Sequence, residues 1–279
     1  MRMEDLDRDR VRPGLAGKIL DDLAWLGLDW DEGPDCGGAH APYEQWARLD
    51  RYEAAFERLQ DAGKVYPCFC SRKDVAAAAS APQAAGDEVR YPGTCREIDP
   101  EQATRRVSSG ARHAWRFRVS TGRNPTFTDL VRGPQGDDRA PGDFVVYRAD
   151  AVPAYQLAVV VDDAAMGITE VVRGDDLLPS TTKQLLLIET LVLDVPVYGH
   201  VPLLLGPDGI RLSKRHRGVT LRELRERGSS PEEVVGRLAH LVGLRPEPGP
   251  VPAGDLVGGF RLSDLRAAPD GIAIDTTVW

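Results

Sequence analysis

Two segments near the start of the chain repeat apolar residues at the spacing of a helix. The first covers residues 14–28, and Gly27 marks its expected end. The second covers residues 43–62 and ends at Gly63, before the short apolar run Val65-Tyr66. The pattern therefore predicts two amphipathic helices, the second of which leads into a strand or turn.

The middle of the chain changes to patterns that are typical of strands. Residues 114–119 alternate apolar and polar side chains, and residues 143–148 are flanked by turn residues, so both are predicted strands. The run 157–161 is continuously apolar and ends at Asp162-Asp163. It predicts a buried parallel strand whose carboxyl end opens on a site, and residues 170–176 predict a second such strand end.

Helical patterns return after these strands. Residues 180–192 and 231–244 are predicted helices, and the alanine-rich stretch 71–86 predicts a short helix followed by a loose connection. Strand, helix and strand in succession indicate an α/β protein.

The composition is that of a globular protein, with 42% hydrophobic and 28% charged residues among 279. This length can fill one large core or two smaller ones, so two linked domains are expected. No run approaches the roughly 20 apolar residues that cross a bilayer, and the charged start is unlike a secretory signal. The sequence thus predicts a soluble, cytoplasmic protein without a membrane partner. With a net charge of −8, any nucleic-acid surface must be a local one.

Three cysteines on two turns are candidate zinc ligands. Cys68 and Cys70 flank one residue, and Cys95 follows a turn that contains Pro92 and Gly93. Tetrahedral zinc needs a fourth ligand, which the residues leave open among the following candidates: Tyr91, Cys36, His40 and His113. The alternative is that the cysteines pack as small apolar side chains. A bound zinc ion is expected to be structural.

A second candidate lies in residues 203–217, where an apolar segment and a tight turn precede concentrated positive charge. Lys214, with the hydroxyl of Ser213 beside it, suits the negative charge that develops on a pentavalent phosphate. The alternative is a solvated basic turn.

Four ordered motifs give the chain its resemblance to a known family. Arg211-Leu-Ser-Lys-Arg215 resembles the Lys-Met-Ser-Lys-Ser signature of class I aminoacyl-tRNA synthetases in its glutamyl form. Residues 3–7 are similar to the family's Ile-Glu-Asp-Thr-Asp, residues 155–158 to its Tyr-Asn-Phe-Ala, and residues 172–176 to its Arg-Gly-Glu-Asp. The cysteine spacing resembles the zinc site of the short glutamyl-Q-tRNA(Asp) synthetase branch, which implies Tyr91 as the fourth ligand.

This resemblance implies an α/β fold with a Rossmann-like parallel sheet, an inserted zinc-binding subdomain and a helical C-terminal segment. It assigns residues 1–65 and 151–205 to the Rossmann-like domain, 66–150 to the insertion, and 206–279 to the signature loop and a helical segment. Only about 60 residues follow the signature loop, which favours the short branch over a full glutamyl-tRNA synthetase.

The resemblance also implies the chemistry. Glu4, Tyr155 and Arg173 are expected to bind glutamate, because a carboxylate can hold its ammonium group and an arginine its side-chain carboxylate. Ser213 and Lys214 are expected to bind ATP with Mg²⁺, and Lys214 to be catalytic. The implied reaction forms glutamyl-adenylate and transfers glutamate to queuosine of tRNA(Asp), by a monomer. The alternatives are that Glu4 is a frayed terminal charge, Tyr155 an aromatic residue of a strand, and Arg173 a partner in a surface ion pair.

The family's first strand, its Pro-Ser-Pro loop and its His-Ile-Gly-His helix start precede the Glu-Asp motif, and the sequence as given has no counterpart of them. Several transition-state contacts would be missing, so adenylation by this chain is expected to be impaired. A start codon placed too late is favoured by the retained Lys214 and Arg173. A noncatalytic paralogue that binds tRNA or a nucleotide, and a fragment of a glutamyl-tRNA synthetase, are the alternatives.

Overall fold

The computed structural model describes residues 1–78, 90–136, 141–212 and 220–275. Its helices are α1 Leu15–Trp25, α2 Leu49–Asp61, α3 Arg72–Ala78, α4 Pro100–Ser108, α5 Tyr155–Ala165, α6 Leu178–Leu191, α7 Leu221–Glu226 and α8 Pro231–Leu241. Its strands are β1 Val65–Cys68, β2 Ala114–Phe117, β3 Phe127–Asp129, β4 Gly133–Gln135, β5 Phe144–Tyr147, β6 Glu170–Gly174, β7 Val197–Val201, β8 Leu204–Leu205 and β9 Ile272–Ala273. The α/β prediction is confirmed.

An antiparallel sheet of order β1-β2-β5 carries the main apolar core on one face. Helices α2, α5 and α6 cover that face with their buried apolar side chains. The buried members of this core are Ala55, Leu59, Phe117, Val119, Phe144, Val146, Leu157, Val159, Val160, Leu186, Leu187, Ile188 and Leu191. The sheet and the helices therefore share one core.

A second sheet of order β4-β3-β7-β6 positions the candidate site. Strands β3 and β6 both run parallel to β7, whereas β4 is antiparallel to β3. Strands β3 and β4 lie within the range 66–150 that the sequence assigns to the insertion, yet they pair with the strands that follow it. The division into domains stays a prediction.

The prediction of a strand at Leu157–Val161 is wrong, because these residues form the centre of helix α5. Leu157 and Ala158 are completely buried, and α5 packs against α2, α6 and β5. A helix covered on all sides is apolar on all sides, so its sequence lacks the polar stripe that distinguishes a surface helix from a buried strand. Tyr155 therefore lies in the first turn of a helix, and Asp162 and Asp163 lie near its end.

The other predicted elements are confirmed. Helices α1, α2 and α8 and strands β2, β5 and β6 lie within the predicted segments, whereas α6 begins two residues before its segment and β1 extends two residues beyond Val65-Tyr66. A short 3-10 helix, Gln45–Arg48, precedes α2, and α8 begins with Pro231 after a capping box between Ser230 and Glu233. Among the described residues, every helix is too short or too polar to cross a bilayer.

Candidate functional site

Arg173 lies near the end of β6 and is half-buried. Its Nε donates to His200 Nε2 at 3.0 Å, and its Nη2 donates to Thr181 Oγ1 at 2.8 Å. The guanidinium also lies 5.3 Å from the ring centre of Tyr198. Within the described part of the chain, these partners are neutral and no carboxylate forms an ion pair with Arg173. Asp163 acts on Arg173 electrostatically but forms no ion pair with it in the described residues. A half-buried guanidinium that no described carboxylate contacts favours an anionic ligand.

His200 and Asp129 lie directly behind Arg173. His200 is on β7 and Asp129 ends β3, which is parallel to it, so the topology brings together residues 71 positions apart. Burial lowers the pKa of His200 despite the hydrogen bond to Asp129, and the charge of Arg173 lowers it further. His200 is therefore neutral at pH 7. Sequence reasoning missed both residues; the only available signals were a histidine inside an apolar strand and an aspartate at a strand end.

Tyr155 lies within electrostatic range of both Arg173 and Glu4. Burial raises the pKa of the Tyr155 phenol, and the charges of Arg173 and Glu4 both act on it. Gln184 of α6 hydrogen-bonds to the same hydroxyl. Glu4 is exposed and pairs with Arg2 at 3.2 Å. The charges of Arg173 and Glu4 thus both reach Tyr155, and the roles of all three residues stay predictions.

Asp162 belongs to a buried hydrogen-bond network that joins neighbouring elements of the fold. Its carboxylate is completely buried and accepts hydrogen bonds from Gln45 Nε2 at 2.9 Å, Arg48 Nε at 2.6 Å and Tyr52 Oη at 2.8 Å. The network joins the end of α5 to α2 and the turn before it. Asp163, next to it, pairs with Arg2 at 2.7 Å.

The signature loop begins at a tight turn. Gly206 donates to Ile210 O at 2.8 Å, and Gly209 has a φ of +72°, which suits glycine. The turn brings Arg211 to Asp176, which follows β6, and the two side chains form an ion pair. Ser213 and Lys214 lie outside the described residues.

Cys68, Cys70 and Cys95 form a cluster in which all three Sγ atoms lie within 4.8 Å of one another. The Sγ atoms of Cys70 and Cys95 are 3.5 Å apart, and the Tyr91 oxygen lies 3.3 Å from Cys68 Sγ and 3.8 Å from Cys70 Sγ. Sulfur atoms on one tetrahedral zinc ion are about 3.8 Å apart, given Zn–S bonds of about 2.3 Å. The four side chains therefore fit a zinc ion, whereas Cys36 is exposed and is not in the cluster.

The thiols of this cluster affect one another. Burial raises the pKa of Cys70 to about 11. Burial also acts to raise the pKa of Cys95, but hydrogen bonds from the Phe69 amide and from Tyr91 bring it below its usual value. A neighbouring cation would favour the thiolate form of all three cysteines.

Comparison with known proteins decides the family. The model of the catalytic domain of class I tRNA synthetases (E and Q) matches residues 1–249. The chain belongs to this family. It is therefore of the class I aminoacyl-tRNA synthetase type, a group of ligases, and the resemblance drawn from the sequence motifs is confirmed.

The relatives of this synthetase chain include two short proteins. A glutamyl-Q tRNA(Asp) synthetase of Symbiobacterium thermophilum is 52% identical over 99% of the chain and 86% of that protein. One from Nitratidesulfovibrio vulgaris is 46% identical over 96% of the chain and 83% of that protein. Glutamate–tRNA ligase 2 of Nitrosococcus oceani is 41% identical over 96% of the chain, which spans 57% of that protein.

Solved structures agree with the family. Glutamate–tRNA synthetase from Elizabethkingia anophelis superimposes with a TM-score of 0.82 at 27% identity, over 98% of this synthetase chain and 60% of that protein. The α/β sheets described above are thus those of a Rossmann-like class I catalytic domain.

Proposed function

We propose that the chain activates glutamate with ATP and transfers it to queuosine of tRNA(Asp). The observation that carries this proposal is the guanidinium of Arg173, which is half-buried among neutral partners and whose charge, like that of Glu4, acts on Tyr155. Such a guanidinium suits the side-chain carboxylate of glutamate, since it offers paired hydrogen bonds and a positive charge whose contacting partners are neutral. The relatives at 52% and 46% identity favour queuosine of tRNA(Asp) as the acceptor.

In the proposed reaction, an α-carboxylate oxygen of glutamate attacks the α-phosphorus of ATP. The bond from that phosphorus to the bridging oxygen breaks, and pyrophosphate leaves. Ser213 and Lys214 would stabilise the charge on the phosphates together with Mg²⁺. A hydroxyl of queuosine then attacks the carbonyl carbon of glutamyl-adenylate, and AMP leaves.

The test has two stages with the purified 279-residue chain. The first is ATP–pyrophosphate exchange, which should require glutamate and should fail with glutamine. The second is transfer of labelled glutamate to three acceptors: tRNA(Asp) with queuosine, tRNA(Asp) without it, and tRNA(Glu). Label on the first acceptor alone supports the proposal. Label on tRNA(Glu) contradicts it in favour of a glutamate–tRNA ligase, and glutamate binding without exchange would contradict activation of glutamate by this chain.

A structural zinc ion belongs to the same proposal. Cys68, Cys70 and Cys95 would supply thiolates and Tyr91 its phenolic oxygen, as their distances support. Such an ion would join β1 to the turn at residues 91–95, where the buried side chains otherwise form only a small apolar cluster. Its contribution would be to folding rather than to chemistry, since all four tetrahedral positions are filled by protein.

A further inference from the structure

The carboxylate of Asp129 is fully engaged in hydrogen bonds. Its Oδ1 accepts from the backbone N–H groups of Val131 at 3.0 Å, Arg132 at 2.8 Å and His200 at 3.1 Å. Its Oδ2 lies 2.6 Å from His200 Nδ1, and both side chains have an exposed fraction of 0%. Burial acts to raise the pKa of Asp129, but these hydrogen bonds hold it below its usual value. Because an ionised carboxylate only accepts, the Nδ1 atom of His200 must carry a hydrogen.

The opposite nitrogen of His200 faces Arg173. A neutral imidazole that carries its hydrogen on Nδ1 has a lone pair on Nε2, and Arg173 Nε donates to that lone pair at 3.0 Å. Thr181 Oγ1 accepts from Nη2 of the same guanidinium at 2.8 Å. Arginine cannot accept a hydrogen bond, so a hydrogen on Nε2 would point at another donor and break the contact. The buried carboxylate thereby determines the orientation of the arginine.

We propose that Asp129 and His200 are positioning residues that select the amino-acid substrate through Arg173. They hold the imidazole in its Nδ1–H form, and this form fixes the guanidinium with Nη1 free for the substrate's side-chain carboxylate. Because the groups that Arg173 contacts are neutral, no carboxylate touches its guanidinium, and a carboxylate ligand is preferred to the amide of glutamine. The inference rests on the proposed role of Arg173 in binding glutamate.

Three conservative variants test the Nδ1 contact and the Nε2 contact of His200 separately. Asp129→Asn keeps an Oδ1 acceptor for the three backbone N–H groups but places a donor against Nδ1, which forces the hydrogen to Nε2. His200→Asn keeps a donor near Asp129 and removes the acceptor for Arg173. His200→Gln can place its amide oxygen near the position of Nε2. His240→Asn, an exposed histidine on α8, is the control for substitution of a histidine as such.

Glutamate binding and the kinetics of pyrophosphate exchange measure the effect. Asp129→Asn and His200→Asn should weaken glutamate affinity about 10- to 100-fold, the range for loss of a hydrogen bond to a charged group. The kcat at saturating glutamate and the KM for ATP should change less than about 3-fold. His200→Gln should retain more affinity than His200→Asn, and His240→Asn should match the parent protein. Equal losses in kcat and in affinity for both substrates would indicate general damage to the fold and would overturn the proposal.

A spectroscopic readout separates this inference from the proposed function. In ¹⁵N–¹H spectra of histidine- and arginine-labelled protein, His200 should be the Nδ1–H tautomer in the parent and the Nε2–H tautomer in Asp129→Asn. The Arg173 Nε–H should be protected from solvent exchange in the parent and unprotected in His200→Asn. An Nε2–H tautomer in the parent overturns the positioning role, whether or not glutamate binds. Failure of the parent to bind glutamate, with both spectroscopic results as expected, overturns the role of Arg173 in substrate selection.

Discussion

The guanidinium of Arg173 makes its contacts through Nε and Nη2 with neutral acceptors. A lysine at this position would keep the positive charge but would lose the planar fork and its two contacts to His200 and Thr181. We expect Arg173→Lys to weaken glutamate binding about 10- to 100-fold, as measured by calorimetry. Arg222→Lys, an exposed position on α7, is the matched control. Unchanged affinity in Arg173→Lys would show that glutamate does not contact this guanidinium.

Arg48 has a different role, because it stabilises the buried carboxylate of Asp162. Removal of this arginine leaves Asp162 with hydrogen bonds from Gln45 and Tyr52, and with Arg2 Nε at 3.7 Å as its more distant cation. Breaking a buried ion pair in this way costs about 3–5 kcal/mol. We therefore expect Arg48→Ala to lower the free energy of unfolding by about that amount in denaturant titrations. Arg51→Ala, exposed on the following helix α2, should change it by less than about 0.5 kcal/mol. Similar values for the two variants would contradict a stabilising role for the pair.

Among single residues, the sequence could predict those that belong to ordered motifs, and in the structure the charges of Glu4 and Arg173 both act on Tyr155. It could not predict His200 and Asp129, because a lone histidine in an apolar strand is typical of a satisfied core residue. Their pairing depends on the parallel alignment of β3 with β7, and no local pattern carries that information. Ser213 and Lys214 stay predictions.

Among the elements, the sequence predicts α5 wrongly but predicts β1 and the turn around Tyr91 correctly, because the two segments carry different local signals. The run Leu157–Val161 has no polar stripe because α5 is surrounded by other elements, so its periodicity carries no signal. Strand β1 and the turn around Tyr91 could be predicted as a unit because cysteine spacing is a direct signal of metal ligation. Chemistry predicted this local arrangement where hydrophobic patterning alone could not.

The Tyr91 oxygen provides the test of the zinc site. Purified protein should contain about one zinc ion per chain by elemental analysis, and a chelator should lower its thermal midpoint. Tyr91→Phe removes one ligand atom and keeps the aromatic ring, so zinc affinity should fall at least about 10-fold. Cys36→Ser should retain the affinity of the parent, because Cys36 is exposed and outside the cluster. A substoichiometric zinc content in protein never exposed to chelator would contradict the site.

For the molecule as a whole, the shared core joins the antiparallel sheet to α2, α5 and α6. Leu187 of α6 is completely buried in this core. We expect Leu187→Ala to cost about 2–5 kcal/mol and to accelerate hydrogen exchange in β2 and α6 together. Val257→Ala, at a position with 74% exposure, should leave both rates unchanged. Faster exchange in α6 alone would show that the sheet and the helices open independently.

Helix α1 stands apart from this cooperative core, because none of its residues is buried. Its local opening should therefore require far less free energy than global unfolding, and Lys18 within it is exposed to trypsin. A cut there would not release the segment that carries Glu4. Backbone hydrogen bonds from Met3 N to Tyr43 O at 2.8 Å and from Gln45 N to Met3 O at 3.0 Å hold that segment to the rest of the chain. The molecule is thus suited to being split at α1 into two fragments that stay associated without a covalent link.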